Sequence, residues 1–137
     1  MRRKADAIFN VLFIIYMGTL LTFTVLRPSR GGYALFGGSV HLTLLADYIP
    51  IYRNSVPIFI YLFFGNIVWF LPFGLFLAFC RGIPFWRTVL FGFLLSLFIE
   101  TMQFVLGTGI SEPDDLLLNT VGCALGAAVA RLLKRLP

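Results

Sequence analysis

Glu100 is an acid inside an otherwise uncharged run, residues 88–107. Gln103 follows three positions later, so the two share one side of a helix. Ser96 precedes them on that side and Gly107 continues it. A second polar row recurs at helical spacing: Asp115, Asn119, Gly122 and Gly126, with Asp114 beside it. Asn66 interrupts a third apolar run, residues 58–80. Groups of these types can do general acid–base work, hold a polar ligand, or bond across helices as structural glue. The ligand-binding candidates are Asn66, Glu100, Gln103, Asp114, Asp115 and Asn119; Glu100 and Asp115 are the candidates for catalysis. Asp114 also has a structural reading, because Ser111 and Asp114 have capping-box spacing at a helix start.

Other chemistries are poorly supplied. There is no G-x-S-x-G, and the sole histidine, His41, falls in a loop. Cys80 and Cys123 form no CxxC, lie too far apart in depth for an easy disulfide, and with one histidine make no zinc site. Paired carboxylates can take Mg²⁺, but usually together with a substrate phosphate. No metal and no cofactor is expected.

The elements that must position these groups are membrane helices. Hydrophobic residues make up 59% of the 137 and charged residues 12%, where an ordinary soluble domain has roughly 25% charged. A chain this short cannot hide that much apolar surface in one core, which excludes a soluble monomer and a disordered chain alike. Residues 8–26, 58–80, 88–107 and 116–133 are long and apolar enough to span a bilayer, which takes roughly 20 residues as a helix. The start Met1-Arg2-Arg3-Lys4 resembles a signal peptide, but the run after it is too long and lacks a cleavage pattern, so a retained helix is expected. The expected fold is thus an all-α integral membrane protein, a bundle of four transmembrane helices in a single domain, 1–137. The long outer loop, 27–57, opens on a turn signal, and residues 41–49 suit a short interfacial helix. The tight loop 81–87 makes the second and third long helices neighbours, and the short loop 108–115 does the same for the third and fourth. Pro72 is expected to kink the second.

Lys and Arg in short loops set the orientation. One side carries Arg2, Arg3, Lys4, Arg81, Arg87, Arg131, Lys134 and Arg135; the other carries Arg27, Arg30 and Arg53. Both termini are therefore expected in the cytoplasm of a multi-pass protein of the cell membrane. Basic ends beside anionic lipid account for the net charge of +5 without nucleic acid. Gly122, Gly126 and Ala130 form a small-residue row suited either to a dimer or to packing within the chain. Trp86 suits the inner interface, and Trp69 lies too deep for a belt anchor. At 1.5 Å per residue, Asn66, Glu100, Gln103 and Asn119 fall in the outer half, below the acids Glu112, Asp114 and Asp115. A polar pocket opening outward follows.

These residues together resemble the VanZ-like family. The resemblance runs from Gly65-Asn66 through Leu71-Pro72-Phe73-Gly74 and Glu100-x-x-Gln103 to Asp114-Asp115-x-x-x-Asn119-Thr120-x-Gly122, with Gly126. It covers about half the chain, and the ordered set is more specific than any piece. The family pattern usually has an Arg in the loop before the paired acids, where this chain has Thr108. The resemblance implies a small membrane protein associated with glycopeptide resistance, chiefly to teicoplanin, without an established reaction. A lipid-linked cell-wall precursor or a lipoglycopeptide in the pocket, with Arg27, Arg30 and Arg53 meeting phosphates outside, fits that implication. Three alternatives stand beside it: an intramembrane enzyme acting on a lipid-linked substrate, a transporter, and an accessory subunit of another membrane enzyme.

Overall fold

The computed structural model describes residues 2–26, 34–45 and 48–135, and the side chains from Asp6 onward. Five helices follow in order: α1 (Arg2–Thr24), α2 (Tyr48–Asn54), α3 (Val56–Phe79), α4 (Phe85–Leu106) and α5 (Pro113–Leu133). Two two-residue strands, β1 (Ser39–Val40) and β2 (Ile110–Ser111), pair in parallel. The protein is otherwise all-helical, and α1, α3, α4 and α5 are each long and apolar enough to cross a membrane.

Each long helix starts earlier than its apolar run. Proline explains three of the starts: Pro57 and Pro113 sit in the first turns of α3 and α5, and Pro84 precedes α4. A proline loses no helical bond there and its fixed φ suits the first turn. α4 ends on Gly107, which takes the left-handed conformation at φ 64°. Pro72 does not end α3. The Tyr16 hydroxyl of α1 donates to Trp69 O at 2.5 Å, within the turn whose ladder Pro72 weakens.

α5 is the central helix. It packs along α3 and against α4, while α3 and α4 touch each other little despite their tight connection. Loop length alone predicts α3 and α4 as neighbours; the small face of α5 takes the place between them. Added Cβ atoms show how close the backbones run. One on Gly122 would lie 2.2 Å from Ile67 O, one on Gly126 2.1 Å from Leu71 O, and one on Gly74 2.0 Å from Cys123 O. On the other side, Gly92 of α4 lets Cys123 in, and the thiol donates to Thr88 O at 3.3 Å. The row Gly122, Gly126 and Ala130 thus serves packing within the chain. Cys80, exposed, and Cys123, buried, are both free.

α1 leans on this core through Phe13, stacked 3.8 Å from Phe76, and through the fully buried Leu20. Much of its remaining surface is apolar and exposed, including Ile8, Ile14 and Ile15.

The outer loop is not the interfacial helix expected over 41–49. Ala34 N, Phe36 N and Gly38 N donate to Leu106 O, Val105 O and Phe104 O, the open carbonyls at the end of α4. β1 then pairs with β2, and His41 N donates to Ser111 O. Only after Leu45, held at φ 56°, does the chain turn helical at Tyr48. These backbone bonds to a distant segment outweigh the weak local helical pattern.

Replacing Gly126 with valine forces the α3 and α5 backbones apart. The expected loss is about 1–3 kcal/mol, the range for overpacking a tight core. Gly18→Ala is the control, since nothing lies within 4 Å of that Cβ. Unfolding midpoints of both variants in detergent check this: only the Gly126 variant should fall.

Candidate functional site

The close α3–α5 seam carries Asn66 of α3 to Asp115 in the first turn of α5, and Asn66 Nδ2 donates to Asp115 Oδ1. Beside this pair lies a cavity of about 380 Å³ between α2, α3 and the start of α5, within the size range of small-molecule sites. Its polar and aromatic lining is Tyr48, Tyr61, Asn66, Trp69, Glu112 and Asp115. Tyr48 is 8% exposed and packs edge-on against Phe63, 5.4 Å between ring centroids, which docks α2 on α3. Burial raises the Tyr48 phenol above its ordinary pKa, and the charges of Asp115, Asp114 and Glu112 raise it further. Two carboxylates, Glu112 and Asp115, thus stand at the cavity near Tyr48.

The other candidate residues go elsewhere. Glu100 is buried at 7% exposure, and its Oε2 accepts the Glu112 amide at 3.0 Å. Its main-chain carbonyl accepts Ser111 Oγ at 2.7 Å. Glu100 does not line the cavity; it lines a separate groove with Val40, Leu42, Glu112 and Leu116. Gln103 Nε2 donates to Thr24 O, at the last residue of α1, at 3.0 Å. Three residues are about 300° around a helix, enough to point Gln103 at α1 while Glu100 meets the start of α5. Asn119 Nδ2 donates to Ser96 Oγ at 2.9 Å in a buried α4–α5 contact. Asn119 thus faces α4, whereas Asp115, one turn earlier, faces α3.

The capping box of Ser111 and Asp114 does not form. Glu112 is the N-cap of α5 and makes no side-chain cap bond. Asp114, 2% exposed, instead accepts the Leu45 amide on both oxygens, at 2.8 and 2.9 Å. It fastens the outer loop where the backbone enters its left-handed turn. Thr108, in the position where the family pattern has arginine, is buried, and its amide donates to Gln103 O at 3.0 Å. His41 Nδ1 lies 3.8 Å from Glu112 Oε1. Among the described residues, no group of three or more His, Cys, Asp or Glu is arranged to hold a metal ion. Arg27 and Arg30, expected to meet phosphates, lie outside the described residues.

Sequence reasoning missed Tyr48, Tyr61, Trp69 and Glu112 as wall residues. Three of them left a signal. Tyr61, Gly65 and Trp69 recur every four residues on the side of α3 that carries Asn66, and Glu112 stands next to the acids already singled out. Tyr48 left none, because its place depends on how the outer loop returns.

Fold and site define the class: a protein of four membrane-length helices with an acidic, aromatic-walled cavity at one end. Residues 3–134 match the VanZ/LLP1 family, and the chain belongs to that family. No curated protein and no solved structure matches it.

Asp114→Ala removes the anchor of Leu45. A bond to a charged group contributes about 1.5–3 kcal/mol, and the loop should open by that measure. Hydrogen exchange at residues 41–45 should speed up, with α3 and α5 still protected. Unchanged exchange there would contradict the anchoring role.

Proposed function

We propose that this protein is a VanZ-type protein of the cell membrane that lowers the access of teicoplanin-like glycopeptides to the envelope, acting through the α2–α3–α5 cavity. Family membership supports the general role. The observation that carries the site is the Asn66–Asp115 bond at the wall of the cavity. A carboxylate next to a space of this size serves a ligand better than it serves packing, because ionisable groups among membrane helices are costly.

Both termini lie in the cytoplasm in this reading, and the cavity opens outward. Arg81, Arg87, Arg131, Lys134 and Arg135 gather at the end opposite Glu112, Asp114 and Asp115, as the positive-inside rule requires. Lys134 also donates to Ala78 O at 2.6 Å, and the Arg131 guanidinium stands 4.6 Å from the Phe85 ring centre, so part of this basic end is tied to the bundle. The ligand is a lipid-linked cell-wall precursor or the lipoglycopeptide itself.

The geometry favours binding over catalysis. One Glu100 oxygen is engaged by the Glu112 amide and one Asp115 oxygen by Asn66.

The test is susceptibility of a sensitive Gram-positive host to teicoplanin and vancomycin at matched membrane abundance. The wild type should protect, chiefly against teicoplanin. Asp115→Asn should lose most of that protection, and Glu100→Gln, one step from the cavity, should lose less. Full protection by Asp115→Asn would contradict the assignment of the site.

A further inference from the structure

The lining of the cavity is selective in a way that the site assignment does not use. Two carboxylates, Glu112 and Asp115, meet it together with the rings of Tyr48, Tyr61 and Trp69. No lysine or arginine is among the described lining residues. An anionic group such as a phosphate would meet the Asp115 carboxylate there, so the phosphate of a lipid-linked precursor has its place outside the cavity. A bare metal ion needs several oxygen ligands, and no group of three or more His, Cys, Asp or Glu among the described residues is arranged to hold one. An organic cation is matched on both counts: its charge by Asp115, its CH surface by the rings.

We infer that the α2–α3–α5 cavity binds an alkylammonium group, with Asp115 as counter-ion and Tyr48, Tyr61 and Trp69 as the aromatic enclosure. The inference rests on the reading of this cavity as the ligand site and names the chemical class it takes. Asn66 occupies Asp115 Oδ1. An ionised carboxylate accepts roughly four hydrogen bonds in all, so capacity is left for an N–H donor. Tyr48 is fixed by its contacts with Phe59 and Phe63, so one wall is formed before any ligand arrives. Tyr61 is 73% exposed and stands on the open side. The ammonium belongs either to a lipid headgroup, such as that of phosphatidylethanolamine, or to a water-borne amine.

The chain has two tryptophans. Trp86 lies at the other end of the bundle, so Trp86→Phe leaves Trp69 as a reporter in the cavity wall. The Trp86→Phe protein is placed in nanodiscs of phosphatidylglycerol alone and, separately, of phosphatidylglycerol with phosphatidylethanolamine. Ethanolamine is titrated into each, with ethylene glycol as its neutral counterpart. A saturable change in Trp69 emission is expected with ethanolamine in phosphatidylglycerol discs, with ethylene glycol weaker by roughly tenfold or more. Discs that contain phosphatidylethanolamine assign the source. Emission already shifted and unmoved by added ethanolamine marks the lipid headgroup; the same titration as before marks a water-borne amine. Asp115→Asn should abolish the response. Tyr61→Leu, which changes an exposed ring and no charge, should weaken it in a fold that is left intact. Emission identical in the two lipids and unmoved by ethanolamine, or moved equally by ethylene glycol, overturns the inference. If teicoplanin protection still depends on Asp115 in that case, the ammonium class falls and the cavity remains the site.

Discussion

Backbone-to-backbone contact between α3 and α5 is the constraint on which the rest of the structure depends. Lipid gives helices little hydrophobic reason to associate, so close packing of small residues has to supply the attraction. Gly122 lies against Ile67, Gly126 against Leu71, and Gly74 against Cys123, each with no room for a methyl group. The same α3–α5 interface carries the Asn66–Asp115 bond, nearer the start of α5.

The acidic end is ordered by a different device. Three buried polar side chains there bond to another segment: Asp114 to Leu45, Glu100 to Glu112, and Gln103 through its Nε2 to the last turn of α1. The amides of Ala34, Phe36 and Gly38 cover the last carbonyls of α4. The outer loop is thus bound by hydrogen bonds more than by apolar burial, as expected where backbone groups must be satisfied near hydrocarbon. What these bonds leave open is the space under α2. It is walled by aromatic rings and two carboxylates, the lining on which the proposed ligand site rests.

The long helices were legible because an uncharged run of membrane length is a strong one-dimensional signal. The residues at the seam were legible too, since Gly122, Gly126 and Ala130 recur at helical spacing. Asn66 and Asp115 could be singled out as costly polar groups in apolar surroundings. Their pairing could not be read, because spacing fixes the face of one helix and not its neighbour. The same limit explains Gln103 and Asn119. They turn to α1 and α4, and a small angular offset on the helix decided that. Loop length misled about α3 and α4, since it ignores a third helix that packs closely between them. The outer loop was least legible. Its path is set by bonds to α4, β2 and Asp114, all more than sixty residues away in sequence. Tyr48 could not be placed without that path.

The central claim is an outward-facing cavity of negative potential between α2, α3 and α5. Thiol labelling tests it most directly. Ile51, on the α2 side of the cavity, is replaced by cysteine in a Cys80→Ala background. Intact cells are then treated with membrane-impermeant methanethiosulfonates, one cationic and one anionic. The account predicts labelling without permeabilisation, with the cationic reagent clearly the faster, and a loss of that preference when Glu112→Gln and Asp115→Asn are added. Labelling only after the cells are opened, or equal rates for the two reagents, would contradict it.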